Sequence, residues 1–127
     1  MAALDLRMVD SAGYDVAEIE HMLHALSNGR GATAVPDVLF LDYVQLIRSQ
    51  PDLQRFDLIA EFVRDLKALA VKHRMAVVIT SQISRQAMQR KDAQPTLADL
   101  KSSGALEEVS DTVLLLWWKQ LGTKERP

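Results

Sequence analysis

The chain has 127 residues, of which 48% are hydrophobic and 25% charged, so it can form one globular domain or part of one. The absence of cysteine excludes a disulfide scaffold, cysteine-ligated zinc and thiol catalysis. No apolar run approaches the roughly 20 residues that cross a bilayer, and the N-terminus lacks a secretory pattern. We therefore expect a soluble cytoplasmic protein. The formal net charge of −2 requires that any nucleic-acid binding come from a local basic patch.

The five glycines bear on phosphate binding. None of them stands in a G-x-x-x-x-G-K-[ST] or G-x-G-x-x-G motif. The sequence therefore contains no phosphate-cradling loop of its own.

Residues 4–9 alternate apolar and charged side chains, which predicts a strand with one wet face or a strand at a sheet edge. A helix is predicted to follow the turn at residues 11–13. Asp15 and Glu18 form a capping-box-like start, and the helix should end near Asn28. Its apolar stripe consists of Val16, Ile19, Leu23 and Leu26.

Three short apolar runs, at residues 38–41, 75–80 and 112–118, predict buried parallel strands. Between the first two, apolar residues at helical spacing from Phe56 to Leu69 predict a crossover helix. Residues 82–101 are expected to form a polar loop or broken helix, and residues 102–109 a short helix. The predicted fold class is α/β, with a mostly parallel sheet of about four strands.

Ligands bind beyond the carboxyl ends of the strands in an open parallel sheet. Four apolar residues followed by Asp42 match the Walker B pattern, in which the carboxylate binds a Mg²⁺-coordinated water beside a nucleotide. The alternative is an aspartate that only caps the next turn. Gln82 follows the second run, and its amide could detect a γ-phosphate or simply lie in solvent. Tyr43 could pack near the nucleotide or close the sheet end.

The stretch from Gln82 to Gly104 is locally basic in an acidic chain. It could track a phosphate backbone, with amides around Gly104 as further donors, or be only a solvated face. Its charged residues are Arg85, Arg90, Lys91 and Lys101, against Asp92 and Asp99.

These features together resemble the C-terminal motor domain of DnaB-type replicative helicases. The matching segments are V-L-F-L-D-Y-V-Q-L-I (38–47), L-K-A-L-A (66–70), V-V-I-T-S-Q-I-S-R (77–85) and R-K-D-A-Q-P-T-L-A-D-L-K-S-S-G-A-L-E-E-V-S-D (90–111). The resemblance runs from about Leu4 to Trp118. It implies a RecA-like P-loop NTPase core and a hexameric ring around single-stranded DNA. The ring would use ATP and Mg²⁺ to unwind DNA 5′ to 3′ at replication forks, with primase and a loader as further partners.

The resemblance assigns roles to individual residues. Asp42 would be the Walker B aspartate near Mg²⁺, Gln82 the γ-phosphate sensor, and Arg85 a residue near the nucleotide or the DNA loop. The DNA-facing loop would contain Lys101, Ser102 and Gly104. The family usually has arginine at the position of Lys101, an acidic residue at that of Ser102, and often arginine at that of Trp118.

The phosphate loop and catalytic glutamate of the family lie upstream of a segment resembling Leu4 onward, and its finger residues lie downstream of Trp118. We therefore interpret residues 1–127 as a partial motor domain, incomplete where the phosphate-loop strand would stand, and expect the isolated chain to be inactive as an ATPase. An exposed apolar sheet edge or face would favour dimers. Alternatives are a non-catalytic RecA-like binding or assembly module and a recombinase-like or clock-type ATPase.

Several residues are interpreted mainly as structural. His21 and His24 are three apart on one helix, but no third ligand stands at a fitting spacing, so we predict no metal site at these two histidines. His73 is expected to interact with the last carbonyls of its helix. Trp117 and Trp118 could stack on bases, but burial against a helix is favoured.

Overall fold

A computed structural model describes residues 6–10, 13–27, 35–47, 54–85, 87, 90, 94–100 and 104–117. The helices are α1 (Val16–Ser27), α2 (Arg55–His73) and α3 (Gly104–Val109), and the strands are β1 (Val38–Leu41) and β2 (Ala76–Ile79). Short 3₁₀ turns cover Val44–Leu46 and Leu97–Asp99. Within these segments, no helix has both the length and the apolar character that a bilayer crossing requires.

Strands β1 and β2 pair in parallel, with Val38 opposite Ala76 and Leu41 opposite Ile79. Helix α2 connects them, so the predicted β-α-β unit and the α/β fold class are confirmed. The core lies between the sheet and the helices. Its buried members are Ile19, Leu23, Val44, Ile59, Phe62, Val63, Leu66, Leu69, Met75 and Leu106.

Helix α1 begins at the predicted capping box. The backbone N–H of Glu18 donates to Asp15 Oδ1 at 2.8 Å, and the N–H of Asp15 donates to Glu18 Oε2 at 2.9 Å. Both bonds satisfy N–H groups that the first helical turn leaves unpaired. Ile19 and Leu23 then reach the core, as the apolar stripe predicts.

Helix α2 ends at Arg74, which has the left-handed conformation (φ 53°, ψ 40°). A left-handed residue at this position lets the following N–H groups bond back to the last helical carbonyls. The N–H of Met75 accordingly donates to the Ala70 carbonyl at 3.1 Å. The chain turns sharply here and enters β2 after Met75, which is buried in the core.

Glu20 joins α1 to the end of α2. Its Oε1 lies 2.9 Å from Lys72 Nζ and 2.6 Å from His73 Nε2. Hydrogen bonds from Lys72 and then His73 lower the pKa of Glu20 to about 2. The contact of His73 is thus with a carboxylate on a neighbouring helix, a different partner from the predicted carbonyls of its own helix.

The two-stranded sheet is covered on one face. Leu39, Leu41, Val77 and Ile79 pack against the core. The alternate residues point away from it, and Phe40 is 69% exposed. An apolar face of this kind is what the sequence predicts for an incomplete sheet.

Two of the four predicted strands are not strands where the structure describes them. Residues 6–10 and 112–117 have no strand conformation, and Met8, Leu114 and Leu116 are highly exposed. An apolar alternation forms a strand only where a neighbouring backbone pairs with it, and in the described chain β1 and β2 pair only with each other. Trp117 is 47% exposed, so the burial favoured for it is also wrong. Trp118 lies outside the described residues.

The buried face of α2 predicts a strong contrast between two positions on the same helix. Leu66→Ala should destabilise the fold by about 2–5 kcal/mol, because Leu66 is almost completely buried and its loss leaves a cavity. Val71→Ala, at an exposed position, should change the free energy of unfolding by about 0.5 kcal/mol or less. Urea titration followed by circular dichroism measures both, and equal effects would contradict the described packing.

Candidate functional site

The carboxyl ends of β1 and β2 lie at the same edge of the sheet, because the strands are parallel and their last residues, Leu41 and Ile79, are paired. Asp42 follows β1 directly, and Thr80, Ser81 and Gln82 follow β2. The structure therefore brings together the two segments that contain the predicted residues Asp42 and Gln82.

A hydrogen bond joins the strand ends at their first polar residues. The Thr80 hydroxyl donates to Asp42 Oδ1. Backbone bonds continue the pairing on either side of it. The N–H of Thr80 donates to the Leu41 carbonyl at 3.0 Å, and the N–H of Val44 donates to the Thr80 carbonyl at 3.0 Å. Asp42 is exposed, and the hydrogen bond from Thr80 fixes the orientation of its carboxylate.

A second contact lies deeper, at Gln45. Its side chain is buried, and Nε2 donates to Ser81 Oγ at 3.0 Å. The backbone N–H of Gln82 in turn donates to Gln45 Oε1 at 3.4 Å. One buried amide thus bonds two successive residues of the other strand end. Its contacts position the backbone of Gln82, whose own side chain is exposed.

Sequence reasoning did not assign roles to Thr80 or Gln45. Both had a usable signal. Thr80 is the first polar residue after β2, as Asp42 is after β1, and parallel strands of equal length place such residues opposite each other. Gln45 is a polar residue in an otherwise apolar stretch after Asp42, and buried polar side chains require hydrogen-bond partners.

The chain beyond Gln82 is held by the segment 94–100. Ile83 forms an antiparallel bridge with Leu100, and the Ser84 N–H donates to the Asp99 carbonyl at 2.7 Å. Arg85 follows directly and is exposed. Residues 83–85 therefore connect the strand-end site to the segment that precedes the predicted DNA loop.

Asp99 is the anchor of that segment. Its side chain is buried and accepts hydrogen bonds from Arg90 Nη1 at 3.0 Å and from the Thr96 N–H and hydroxyl at 2.7 and 2.8 Å. Arg90 Nη2 contacts the second carboxylate oxygen and also donates to the Gln94 carbonyl at 2.8 Å. The Arg90 bonds, followed by the Thr96 backbone bond, lower the pKa of Asp99 to about 2.

This network changes the interpretation of the basic stretch. Arg90 is paired with Asp99, so its positive charge stabilises the local structure around residues 94–99. Lys91, Asp92, Lys101 and Ser102 lie outside the described residues. Of the predicted DNA-facing residues, Gly104 is described, and it is the exposed first residue of α3.

Helix α3 fixes the position of Gly104 against α2. Ala105 and Leu106 are buried, and Leu106 belongs to the central core. Lys67 on α2 pairs with Asp111 just beyond α3. The predicted DNA loop therefore lies between two fixed points, the Asp99 network before it and α3 after it.

The strand-end site offers a carboxylate, a threonine and a serine hydroxyl, and two side-chain amides at the carboxyl edge of a parallel sheet. Carboxylate, hydroxyl and amide oxygens are hard donors, which can bind Mg²⁺ or the waters that it carries. The fold, an open α/β structure with a small parallel sheet, is that of a RecA-like P-loop NTPase core, as two solved structures show. One is a DnaB-like replicative helicase studied with primase, with a TM-score of 0.80 at 32% identity over 93% of this chain and 28% of that chain. The other is a solved ATPase domain, with a TM-score of 0.79 at 32% identity over 92% of this chain and 41% of that chain.

The model of the DnaB-like helicase C-terminal domain family matches residues 1–126, so the chain belongs to this family. A probable plasmid replicative DNA helicase of Chlamydia psittaci is 42% identical over 90 residues, which are 70% of this chain and 20% of that protein. The replicative DNA helicase DnaB of Rickettsia prowazekii is 38% identical over 81 residues, 63% of this chain and 17% of that protein. The chain thus spans about a fifth or less of the length of these relatives.

The lowered pKa of Asp99 predicts a pH-dependent stability. Because the folded pKa of about 2 lies below the ordinary value of 3.8, the network stabilises the folded state above about pH 4. This contribution is lost as the pH falls from about 4 to about 2. Asp99→Asn should therefore lower the urea midpoint by a constant amount from pH 7 to 5, and by a shrinking amount below pH 4.

Arg90→Gln is the matched control, since Arg90 is the main cause of the shift. In that background, Asp99→Asn should have a smaller and less pH-dependent effect. A gap between wild type and Asp99→Asn that does not change with pH would contradict the role of Asp99.

Proposed function

We propose that residues 1–127 are a partial motor domain of a replicative DNA helicase, and that they supply the metal-holding and nucleotide-sensing part of its ATP site. The joined strand ends carry this proposal. Asp42 and the segment of Gln82 belong to separate strands, and the Asp42–Thr80 and Gln45–Ser81 hydrogen bonds hold them at one edge. The parent would be an ATP-dependent DNA helicase.

The residues present fit Mg²⁺ and ATP. Asp42 is an exposed carboxylate with one oxygen bonded to Thr80, and a hard oxygen donor at a strand end is suited to a Mg²⁺-coordinated water. Bound Mg²⁺ would neutralise charge on the phosphate oxygens during phosphoryl transfer. The Thr80 hydroxyl orients the carboxylate, so Asp42 would need little rearrangement when the metal binds.

Gln82 would sense the γ-phosphate through its exposed side chain. An uncharged amide can donate to a phosphate oxygen and accept from water, so its hydrogen bonds would change with the state of the nucleotide. Gln45 is a positioning residue in this proposal, because its buried amide holds the Gln82 backbone. Arg85, three residues further, would lie near the nucleotide or the DNA loop.

Contact with single-stranded DNA would come from Lys101, Ser102 and Gly104. Gly104 is exposed, and the loop that it ends is fixed on its other side by Asp99. The Ser84–Asp99 backbone bond connects this loop to the segment after Gln82. A change at the nucleotide would therefore reach the segment before the DNA loop through the Ile83–Leu100 bridge and the Ser84–Asp99 backbone bond.

Membership of the family supports a proposal for the activity of the whole protein. We propose a hexameric ring that unwinds duplex DNA 5′ to 3′ at replication forks in the cytoplasm, with primase and a loader as partners. The solved relative studied with primase supports the primase contact. The sequence of this chain has no phosphate-loop motif, so the chain alone should neither bind ATP tightly nor hydrolyse it.

A chimera tests the proposed site. The host is a DnaB-like relative, which keeps its own phosphate loop. Its segment aligned with residues 36–111 is replaced by those residues of this chain, and DNA-stimulated ATP hydrolysis is measured. The chimera should hydrolyse ATP. Asp42→Asn should reduce turnover by about 100-fold or more, since it removes charge that positions the metal. Gln45→Leu should reduce it less, by displacing Gln82.

Asp65→Asn is the control, because Asp65 is an exposed carboxylate in the middle of α2. It should leave turnover unchanged. If the Asp42→Asn chimera is as active as the parent chimera, Asp42 has no role in the ATP site. If the folded, hexameric chimera with Asp42 intact is inactive, the segment is better described as a non-catalytic RecA-like module.

A further inference from the structure

A second cluster of ligating side chains lies where α1 meets the end of α2. It contains Glu20, His24 and His73, and one ligand atom of each lies within 4.8 Å of the others. Glu20 Oε1 is 2.6 Å from His73 Nε2 and 3.9 Å from His24 Nε2. The two imidazole rings meet edge to face, with centroids 5.4 Å apart.

The helices explain why these three side chains converge. Glu20 and His24 are four residues apart on α1, so they lie on the same helical face one turn from each other. His73 is the last residue of α2, and Arg74 ends the helix directly after it. In the sequence, His24 has His21 as its neighbouring histidine three residues away. In the structure, His21 is exposed and lies outside the cluster, and the other two members are Glu20 on α1 and His73 on α2.

The separations are close to those of a metal centre. Zinc binds imidazole nitrogen at about 2.0–2.1 Å, which places ligands of a tetrahedral site about 3.3 Å apart. Each Glu20–His distance differs from this value by less than about 1 Å. His24 can supply the movement because its side chain is 57% exposed, whereas His73, at 9%, is held in place.

Apart from the two histidines, Lys72 is the one cationic side chain among the described residues that contacts Glu20. Its Nζ lies 2.9 Å from Glu20 Oε1. A divalent cation would replace it there. Lys72 is largely exposed, so its ammonium can move into solvent without leaving a buried charge. Lys72 and a metal ion would therefore compete for the Glu20 carboxylate, so removing the Lys72 ammonium should not weaken metal binding.

We propose that Glu20, His24 and His73 form a binding site for Zn²⁺ or a similar divalent transition-metal ion, which bridges α1 to the end of α2. Two imidazoles and one carboxylate are a donor set that zinc accepts, and solvent at the exposed His24 side leaves room for a water as fourth ligand. The metal binds a ring nitrogen that carries no hydrogen, so the hydrogen that His73 Nε2 shares with Glu20 passes to Nδ1 of the same ring or to solvent on binding. The role is structural, since the bound ion stabilises the packing of α1 on α2.

Titration of the metal-free chain with ZnCl₂ by calorimetry and thermal unfolding tests the site. We expect one Zn²⁺ per chain and a rise in the melting temperature that EDTA reverses, because the ion binds the folded state. CoCl₂ should give visible absorption bands of a low-coordinate Co²⁺ site. His24→Gln should weaken zinc binding by at least about tenfold, since even outer-shell partners of a metal contribute that much.

Two control variants separate this site from other histidines. His21→Gln, on the same helix and outside the cluster, should bind zinc as the wild type does. Lys72→Met removes the competing cation and should bind zinc equally or more tightly. His24 is exposed, so its variant should fold even if His73→Gln does not.

Three results would overturn the proposal. The first is no zinc-dependent rise in melting temperature in the wild type. The second is unchanged affinity in His24→Gln, and the third is a loss of affinity in His21→Gln as large as that in His24→Gln. None of these outcomes depends on ATP hydrolysis, so the zinc site and the proposed helicase function fail or succeed separately.

Discussion

The parallel pairing of β1 with β2 is the constraint on which the structure depends. The register from Val38–Ala76 to Leu41–Ile79 places both carboxyl ends at one edge. It also requires a crossover, which is α2, and the buried face of α2 then organises the core. A shift of one residue would move Asp42 away from Thr80 and turn the apolar residues of the strand to the opposite face. The fold and the candidate site therefore depend on the same register.

Two buried or partly buried polar networks extend this constraint into the loops. Gln45 fixes the first residues after β2, and Asp99 fixes the segment that leads to the predicted DNA loop. Ser84 and Ile83 connect the two networks through backbone bonds. Loops that carry function are usually the mobile parts of a protein, and here satisfied buried polar groups hold residues 81–84 and 94–100 in defined positions. In the proposed site, a nucleotide-dependent change at Gln82 would act on these described contacts.

The sequence was informative where a pattern depends on local chemistry. The capping box at Asp15, the helix from Phe56 onward and the strand before Asp42 follow from periodicity and turn chemistry, and the structure contains all three. Residues 4–9 and 112–118 have equally strong apolar patterns, but a strand also needs a backbone neighbour, which periodicity does not encode. The same limit applies to Gln45, Thr80 and the Glu20–His24–His73 cluster. Their contacts join residues that are distant in the sequence, so only the tertiary structure brings them together.

The central claim is that the ends of β1 and β2 form one pre-arranged site, and solution NMR of the chain tests it most directly. The account predicts slow hydrogen exchange at the amides of Val44 and Thr80, which bond across the strand ends. It also predicts nuclear Overhauser contacts from the Gln45 side-chain amide to Ser81 and Gln82. Fast exchange at both amides, with no contact between Gln45 and Ser81, would show that Asp42 and Gln82 are not held together.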